Sequence, residues 1–132
     1  MPEFARPAKK SFPKSRRLLR HSDFDRVYKR GRRHFGAHMT VFYLFREAEP
    51  EPKGLRIGFT VGKALGGAVE RNRMKRRLRE AVRLNGFSPE ITADVVINPK
   101  KSVMTTEFKA LQSEVTKAFQ VIERSAKKGN PS

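Results

Sequence analysis

Residues 55–83 read LRIGFTVGKALGGAVERNRMKRRLREAVR, an alternating apolar segment followed by a strongly basic one. Every second residue of the first part is apolar, and these residues are Leu55, Ile57, Phe59 and Val61. A period of two places them on one face of a half-buried β-strand. The Gly66–Gly67 pair predicts a turn, and the basic part predicts a helix from there to about Leu84. This strand, turn and basic helix are the centre of the predicted fold.

The predicted helix separates its apolar side chains from its basic ones. At 3.6 residues per turn, the apolar side consists of Met74, Leu78, Ala81 and Val82. The opposite side consists of Asn72, Arg76, Arg79 and Arg83, with Lys75 beside them. Seven of the thirteen residues 71–83 are Lys or Arg, and guanidinium groups match phosphate oxygens in a bidentate geometry. The basic side is therefore predicted to bind nucleic acid, with a solvated charged face as the alternative.

Charge over the whole chain also points to a polyanionic partner. The sequence has 30 Lys plus Arg and 13 Asp plus Glu, which leaves a net charge of +17. Twelve of the cations lie in residues 1–33 and seven in residues 71–83, so the charge is clustered. Such a balance predicts nucleic acid or an anionic membrane surface as the partner. No apolar run approaches the ~20 residues of a membrane helix, so we expect nucleic acid and no membrane.

Length and composition limit the architecture and the chemistry. A chain of 132 residues fits one domain. The absence of cysteine excludes disulfides, thiolate metal sites and cysteine nucleophiles, and it is compatible with a cytoplasmic protein. The first residues lack the apolar core of a secretory signal. No carboxylate pair, carboxylate–His cluster or Ser/His/Asp arrangement stands out, and His21 and His34 lie in polar surroundings typical of surface histidines.

A first helix is predicted upstream of the strands. Ser22 is a suitable N-cap, Asp25 stands at the capping-box position, and Gly31 can end the helix. Helical spacing places the apolar residues of this segment on one face, and these are Phe24, Val27 and Tyr28.

Two more strands and a last helix complete the prediction. Residues 38–45 are rich in β-branched and aromatic side chains, and residues 94–98 form a short apolar run stopped by Pro99. Thr105 is the predicted cap of the last helix. Its apolar stripe consists of Phe108, Leu111, Val115, Ala118, Phe119 and Ile122. The order helix, strands, helix, strand, helix predicts an α+β or α/β sandwich of helices on one sheet.

The ends of the chain and one loop differ from this domain in composition. Residues 1–16 are basic and interrupted by proline, which predicts a flexible arm. The domain is predicted to span residues 17–125, followed by a basic tail at 126–132. Residues 47–54 form an acidic, proline-containing loop.

The motifs of the basic helix resemble a known family. Arg71-Asn72-Arg73, followed by Lys75-Arg76 and Arg79-Glu80, resembles the RNR signature of the bacterial ribonuclease P protein. The resemblance covers about residues 16–124 with the motifs in order. The segments that match around the signature are Arg17-Leu18, Asp23-Phe24 and residues 27–31 for the first helix, and residues 55–63 and 94–97 for the flanking strands.

The resemblance implies a more detailed fold than the residue patterns do. It implies a single-domain α+β sandwich of order αβββαβα, in which helices pack on one central mixed sheet. It also implies a left-handed βαβ crossover. The residue patterns alone would predict a right-handed one, which is the usual hand.

The resemblance also implies the site residues. In the family the signature helix contacts the catalytic RNA, which here assigns RNA binding to Lys63, Arg71, Asn72, Arg73, Lys75, Arg76, Arg79 and Arg83. The cleft between the sheet and the first helix binds the 5′ leader of precursor tRNA, which assigns leader contacts to Phe24, Tyr28 and Phe42. A core position is the alternative for each of these three aromatic residues.

The chemistry implied by the resemblance belongs to the RNA. Hydrolysis that frees the mature tRNA 5′ end is performed by RNA-bound Mg²⁺, so we expect no catalytic residue, no protein-bound metal or cofactor and no small-molecule substrate. Two positions depart from the family pattern: Ala64 stands where many members have Lys, and Gly67 where Asn is common. Contacts made by those family side chains are not carried over to this chain.

Other functions remain open at this point. A ribosomal or other structural RNA-binding protein fits the composition equally well, and only the ordered motifs disfavour it. A DNA-binding module ranks third, because an Arg-rich face is poorly suited to reading base edges. An independent protein nuclease ranks last because the scattered acids form no catalytic cluster.

Overall fold

The structure, a computed structural model, describes residues 17, 18, 20–46, 54–86 and 91–127. The elements of this part are, in chain order, α1 (His21–Arg30), β1 (Arg32–Phe35), β2 (Met39–Phe45), β3 (Leu55–Phe59), α2 (Ala68–Asn85), β4 (Ala93–Pro99) and α3 (Phe108–Lys127). Short 3-10 helices at Lys63–Leu65 and Lys101–Met104 precede α2 and α3. This order confirms the predicted αβββαβα arrangement. The predicted arm at 1–16, loop residues 47–53 and tail residues 128–132 lie outside the described residues.

The strands of the described part form one mixed sheet in the spatial order β1-β2-β4-β3. The β1–β2 and β2–β4 pairs are antiparallel, whereas β3 and β4 are parallel. Parallel neighbours require a crossover connection, and α2 provides it between β3 and β4. The mixed sheet with helices packed on it is therefore confirmed, while the hand of the crossover stays a prediction.

Helices cover both faces of the sheet. On one face α2 and α3 pack on a core that includes Val41, Ile57, Val95 and Ile97. On the other face α1 packs on a smaller cluster. This cluster consists of Leu18, Val27 and Val96, with Phe24, Tyr28, Phe42 and Leu44 partly buried against it. Because successive strand residues point to opposite faces, the central strand β4 is apolar on both sides.

The first helix begins two residues earlier than its cap signal predicts. The backbone N–H groups of Asp23 and Phe24 donate to the Arg20 carbonyl, so Arg20 is the N-cap and Ser22 lies inside the helix. The predicted Ser22–Asp25 capping box is therefore wrong. A tertiary contact decides the start, because the Leu18 N–H donates to the Ile57 carbonyl at 3.0 Å and holds the incoming chain beside β3.

The predicted end of α1 at Gly31 is confirmed. The Gly31 N–H donates to the Val27 carbonyl at 2.8 Å. A Cβ atom at this position would lie 2.6 Å from both the Val27 and Tyr43 carbonyl oxygens. Glycine is required here because the chain passes between α1 and β2 with no room for a side chain.

The apolar stripe of α3 is confirmed, but its predicted cap is wrong. The buried side chains are Leu111, Val115, Ala118, Phe119 and Ile122, with Phe108 partly buried. The helix begins at Phe108, and Thr105 instead ends the preceding 3-10 helix, where its N–H donates to the Ser102 carbonyl. The backbone N–H of Thr105 is thus bonded within the 3-10 helix Lys101–Met104, and Thr105 does not start α3.

Candidate nucleic-acid interface

The apolar side of α2 is buried and its basic side faces outward, as the periodicity predicts. Met74, Leu78, Ala81 and Val82 are fully buried against the sheet and α3. The opposite side, called the outer face, has exposed Asn72, Arg76 and Arg79 and half-buried Arg83, with exposed Arg73 and half-buried Lys75 at its edges. Half-buried Arg71 lies seven residues before Leu78, so it is on the apolar side at the start of the helix. Lys63 is exposed in the 3-10 helix before α2. The structure thus brings most of the predicted RNA-binding residues to the outer face of α2, with Lys63 and Arg71 near its N-terminal end.

The turn before α2 is held by two side chains of the helix itself. Gly66 has a φ of 141°, which favours glycine. Glu70 caps the helix because its Oε1 accepts the Gly67 N–H at 3.0 Å. Arg71 Nε donates to the Gly66 carbonyl at 3.1 Å. Arg71 therefore also has a structural contact, which the sequence pattern did not indicate.

Arg83 differs from the other cations of the outer face because it is ion-paired within the helix. Its Nε donates to Glu80 Oε1 at 3.0 Å, and its Nη2 contacts Glu80 Oε2. The hydrogen bond from Arg83 lowers the pKa of the Glu80 carboxyl and raises the pKa of Arg83. Arg76 and Arg79, by contrast, have no ion-pair partner among the described residues.

Arg77 belongs to the packing of α2 rather than to its outer face. Its Nη2 donates to the Thr106 carbonyl, and its Nε is buried without a hydrogen-bond partner in the described part of the chain. This contact ties α2 to the segment before α3. Arg77 is therefore a structural cation among the seven in residues 71–83.

A second candidate surface lies between α1 and the opposite face of the sheet. The Phe24 ring lies directly on Gly58, where an added Cβ would come within 2.4 Å of the ring. The rings of Tyr28 and Phe42 meet edge to face, with centroids 4.9 Å apart. Arg33 of β1 lies over the Phe42 ring, with its guanidinium carbon 5.6 Å from the centroid. The three predicted leader-contacting aromatic residues are thus brought together along α1.

These aromatic side chains are half-buried, so they are neither full core residues nor free surface residues. The Tyr28 hydroxyl hydrogen-bonds to Thr60 Oγ1 at 2.7 Å and to Asn98 Oδ1 at 2.9 Å. These bonds fix the ring against β4 and leave part of its surface to solvent. This partly open aromatic surface between α1 and the sheet, with Arg33 beside Phe42, is called the α1 cleft below.

Beneath α1 lies a buried charge network that sequence reasoning missed. Asp94 is only 1% exposed and accepts hydrogen bonds from Arg46 Nε at 2.8 Å and Arg56 Nε at 2.9 Å. Arg56 Nη2 also donates to Asp94 Oδ2 at 2.9 Å and lies 3.8 Å from an oxygen of Asp23 on α1. Asp23 in turn pairs with Arg26. The network therefore links α1 to β3 and β4.

The pairing register of β3 and β4 brings the charged residues of this network together. Arg56 of β3 stands directly opposite Asp94 of β4 in the parallel ladder. A signal was present in the sequence, since both residues interrupt apolar strands. Only the strand register shows that the positive charge of Arg56 lies opposite the negative charge of Asp94.

His38, the residue immediately before β2, is a packing residue. His38 Nδ1 lies 2.7 Å from Ser102 Oγ and its Nε2 lies 3.3 Å from Thr106 Oγ1, while its backbone N–H donates to the Glu114 carboxylate. Within the ranges that the structure describes, no group of three or more His, Asp or Glu side chains is placed to hold a metal ion. None of the helices described is long and apolar enough to cross a membrane.

Comparisons with known proteins agree with these features. The family model described as Ribonuclease P matches residues 12–123. A relative from Finegoldia magna, named ribonuclease P protein component, is 42% identical over 100 residues, which are 76% of this chain and 84% of the relative. A protein of the same name from Desulforapulum autotrophicum is 36% identical over 115 residues, covering 87% of this chain and 95% of the relative.

Solved structures show the same fold. The RNase P protein of Staphylococcus aureus superposes with a TM-score of 0.67 at 24% identity, covering 80% of this chain and 94% of that one. The RNase P protein of Thermotoga maritima superposes with a TM-score of 0.65 at 22% identity, covering 82% and 96%. The chain therefore belongs to the ribonuclease P protein component family, whose members are subunits of a ribonucleoprotein endoribonuclease involved in tRNA 5′ processing.

Proposed function

We propose that this chain binds the catalytic RNA of ribonuclease P through the outer face of α2 and the 5′ leader of precursor tRNA through the α1 cleft. In this way it promotes the endonucleolytic removal of the leader that yields the mature tRNA 5′ end. The observation that carries the proposal is the placement of two different surfaces, one basic and one aromatic, on opposite faces of the same sheet.

The outer face of α2 suits a folded RNA. Its exposed Arg73, Arg76 and Arg79 stand on a helix anchored by four fully buried side chains, so the backbone positions from which they reach phosphates are set by the fold. Arginine matches phosphate oxygens with two parallel hydrogen bonds. Phosphate contacts of this kind fix position and affinity rather than sequence.

The α1 cleft suits a single-stranded segment. Unpaired bases stack on aromatic side chains without sequence demands, and the half-exposed rings of Phe24, Tyr28 and Phe42 offer such surfaces. Arg33 at the rim can contact the backbone of the same strand. A site that reads bases by stacking suits precursors whose leaders differ in sequence.

We assign the hydrolysis chemistry to the RNA subunit and its Mg²⁺. We assign RNA binding to the protein. The described residues offer cations on the outer face of α2 and aromatic rings with Arg33 between α1 and the sheet, but no group of three or more Asp, Glu or His side chains placed to hold a metal ion. Both partners in the proposal are RNAs involved in tRNA maturation, and the proposed location is accordingly the cytoplasm.

Reconstitution tests the proposal. The protein alone should leave precursor tRNA intact, whereas adding the catalytic RNA at low Mg²⁺ and moderate salt should give cleavage at the mature 5′ end. Omitting the protein under the same conditions is the control and should reduce cleavage strongly. Metal-dependent cutting by RNA-free protein that survives a ribonuclease-inactivation control would contradict the assignment. Ribosomal RNA as the tightly copurifying RNA would favour the structural RNA-binding alternative.

A further inference from the structure

Phe35 is a large apolar side chain that the fold leaves exposed to solvent. It is the last residue of β1 and is 67% exposed. It pairs with Thr40, just as Arg33 pairs with Phe42. Because directly paired residues and residues two apart on a strand share a face, Phe35 lies on the same face as Phe42. It is diagonal to Phe42 across the pair, a separation of about 7–8 Å.

The surroundings of Phe35 are basic and polar. Lys100 Nζ donates to the Gly36 carbonyl at 3.3 Å, which holds an ammonium group beside the end of β1. Arg33 precedes Phe35 by two residues on the same face. Thr40 and Asn98 are paired neighbours on β2 and β4 and supply hydrogen-bonding groups on this face. Phe35 is therefore an exposed ring between two cations.

We propose that Phe35 is a further stacking residue for the single-stranded 5′ leader, beyond Phe42 along the edge of the sheet. A base leaving the cleft past Phe42 meets the Phe35 ring next, and Arg33 and Lys100 contact the phosphates on either side. This inference rests on the proposed binding of the leader in the α1 cleft and adds a position to it.

The charge around β1 favours RNA over a second copy of the chain as the occupant. β1 is an edge strand, and its exposed Arg32 and Arg33 flank the strand that would have to pair with a second β1. Charged side chains on an edge oppose such pairing, and two copies of a chain with a net charge of +17 repel each other. A polyanionic strand is attracted by the same charges.

A leader-length series with the reconstituted holoenzyme tests the inference. Precursor tRNAs with leaders lengthened one nucleotide at a time should bind wild type with affinity that rises in steps. Phe35→Ile keeps an apolar, strand-favouring residue but removes the ring, so it should lose one of the later steps, worth about 5- to 150-fold. Short leaders and mature tRNA should bind unchanged, and Phe35→Tyr should restore the step.

Leu84→Ala is the matched control, because Leu84 is an apolar side chain 48% exposed on α2, which packs on the sheet face opposite to that of α1 and Phe42. It should leave every step in place, and all three variants should melt at the wild-type temperature. A complete set of steps in Phe35→Ile would overturn this inference alone. Wild type without any dependence on leader length would overturn the proposed leader binding and this inference with it. A wild-type dimer that Phe35→Ile converts to a monomer would identify a second copy as the occupant and overturn the inference.

Discussion

Asp94 is expected to be the most sensitive charged position of the described part of the domain. Its carboxylate lies at 1% exposure between the guanidinium groups of Arg46 and Arg56, whose side chains are 8% and 15% exposed. Removing one partner of a buried ion pair costs ~3–5 kcal/mol, because the remaining charge stays buried without it. Asp94→Asn keeps the shape but removes the charge that holds both arginines. We therefore expect a loss of about 3–5 kcal/mol in the free energy of unfolding.

Chemical denaturation followed by far-UV circular dichroism at neutral pH measures this loss. A double-mutant cycle with Arg56→Met separates the pair from the rest of the network, and a coupling energy of ~0.5–3 kcal/mol is typical of residues in contact. Glu70→Gln, which changes an exposed helix-cap carboxylate, is the matched control and should cost ~1 kcal/mol or less. If Asp94→Asn lost less than about 1 kcal/mol, the network would be a minor contributor and the reasoning from burial would be refuted.

Three further outcomes follow from the two surfaces. Arg76→Ala and Arg79→Ala should each weaken binding of the catalytic RNA and flatten the slope of log affinity against log salt by ~0.7–0.9 per lost phosphate contact, with little change in melting temperature; a large melting loss with an unchanged slope would make them structural. Glu80→Gln should tighten RNA binding by freeing Arg83. The Glu80–Arg83 pair lowers the pKa of Glu80 in the folded state. The stabilisation from this pair is therefore present above the unfolded pKa near 4.5 and is lost as the pH falls through the lower folded pKa. Wild type and Glu80→Gln should accordingly converge in melting temperature in acid. Phe42→Ala should reduce the ratio of precursor to mature tRNA affinity by an amount worth ~1–3 kcal/mol, whereas an unchanged ratio would assign the ring to packing.

The long helices were predictable because their signal is local and repeated. The buried set of α2, for example Met74 and Leu78, and that of α3, for example Leu111 and Val115, follow from the 3.6-residue period alone. The outward placement of Arg76 and Arg79 follows from the same period.

The ends of helices and the edge strand were less predictable. Ser22 and Thr105 have the residue type of an N-cap, yet the backbone contacts at Leu18 and in the 3-10 helix Lys101–Met104 place the helix starts elsewhere. The strand β1 is polar and largely exposed, with three of its four residues open to solvent. A strand without an apolar alternation has no local signal, and its existence depends on pairing with β2.

By itself the sequence determined the helical and strand periodicities, the clustered positive charge and the signature residues 71–73 in the first part of α2. These properties reside in neighbouring residues, so they can be read before the chain is folded. Tertiary structure decided which distant residues meet: Arg56 with Asp94, Phe24 with Gly58, and the face on which Phe35 lies. The physical reason is that strand order and register arise from pairing between distant parts of the chain. A local period of two determines only which side chains of a strand share a face.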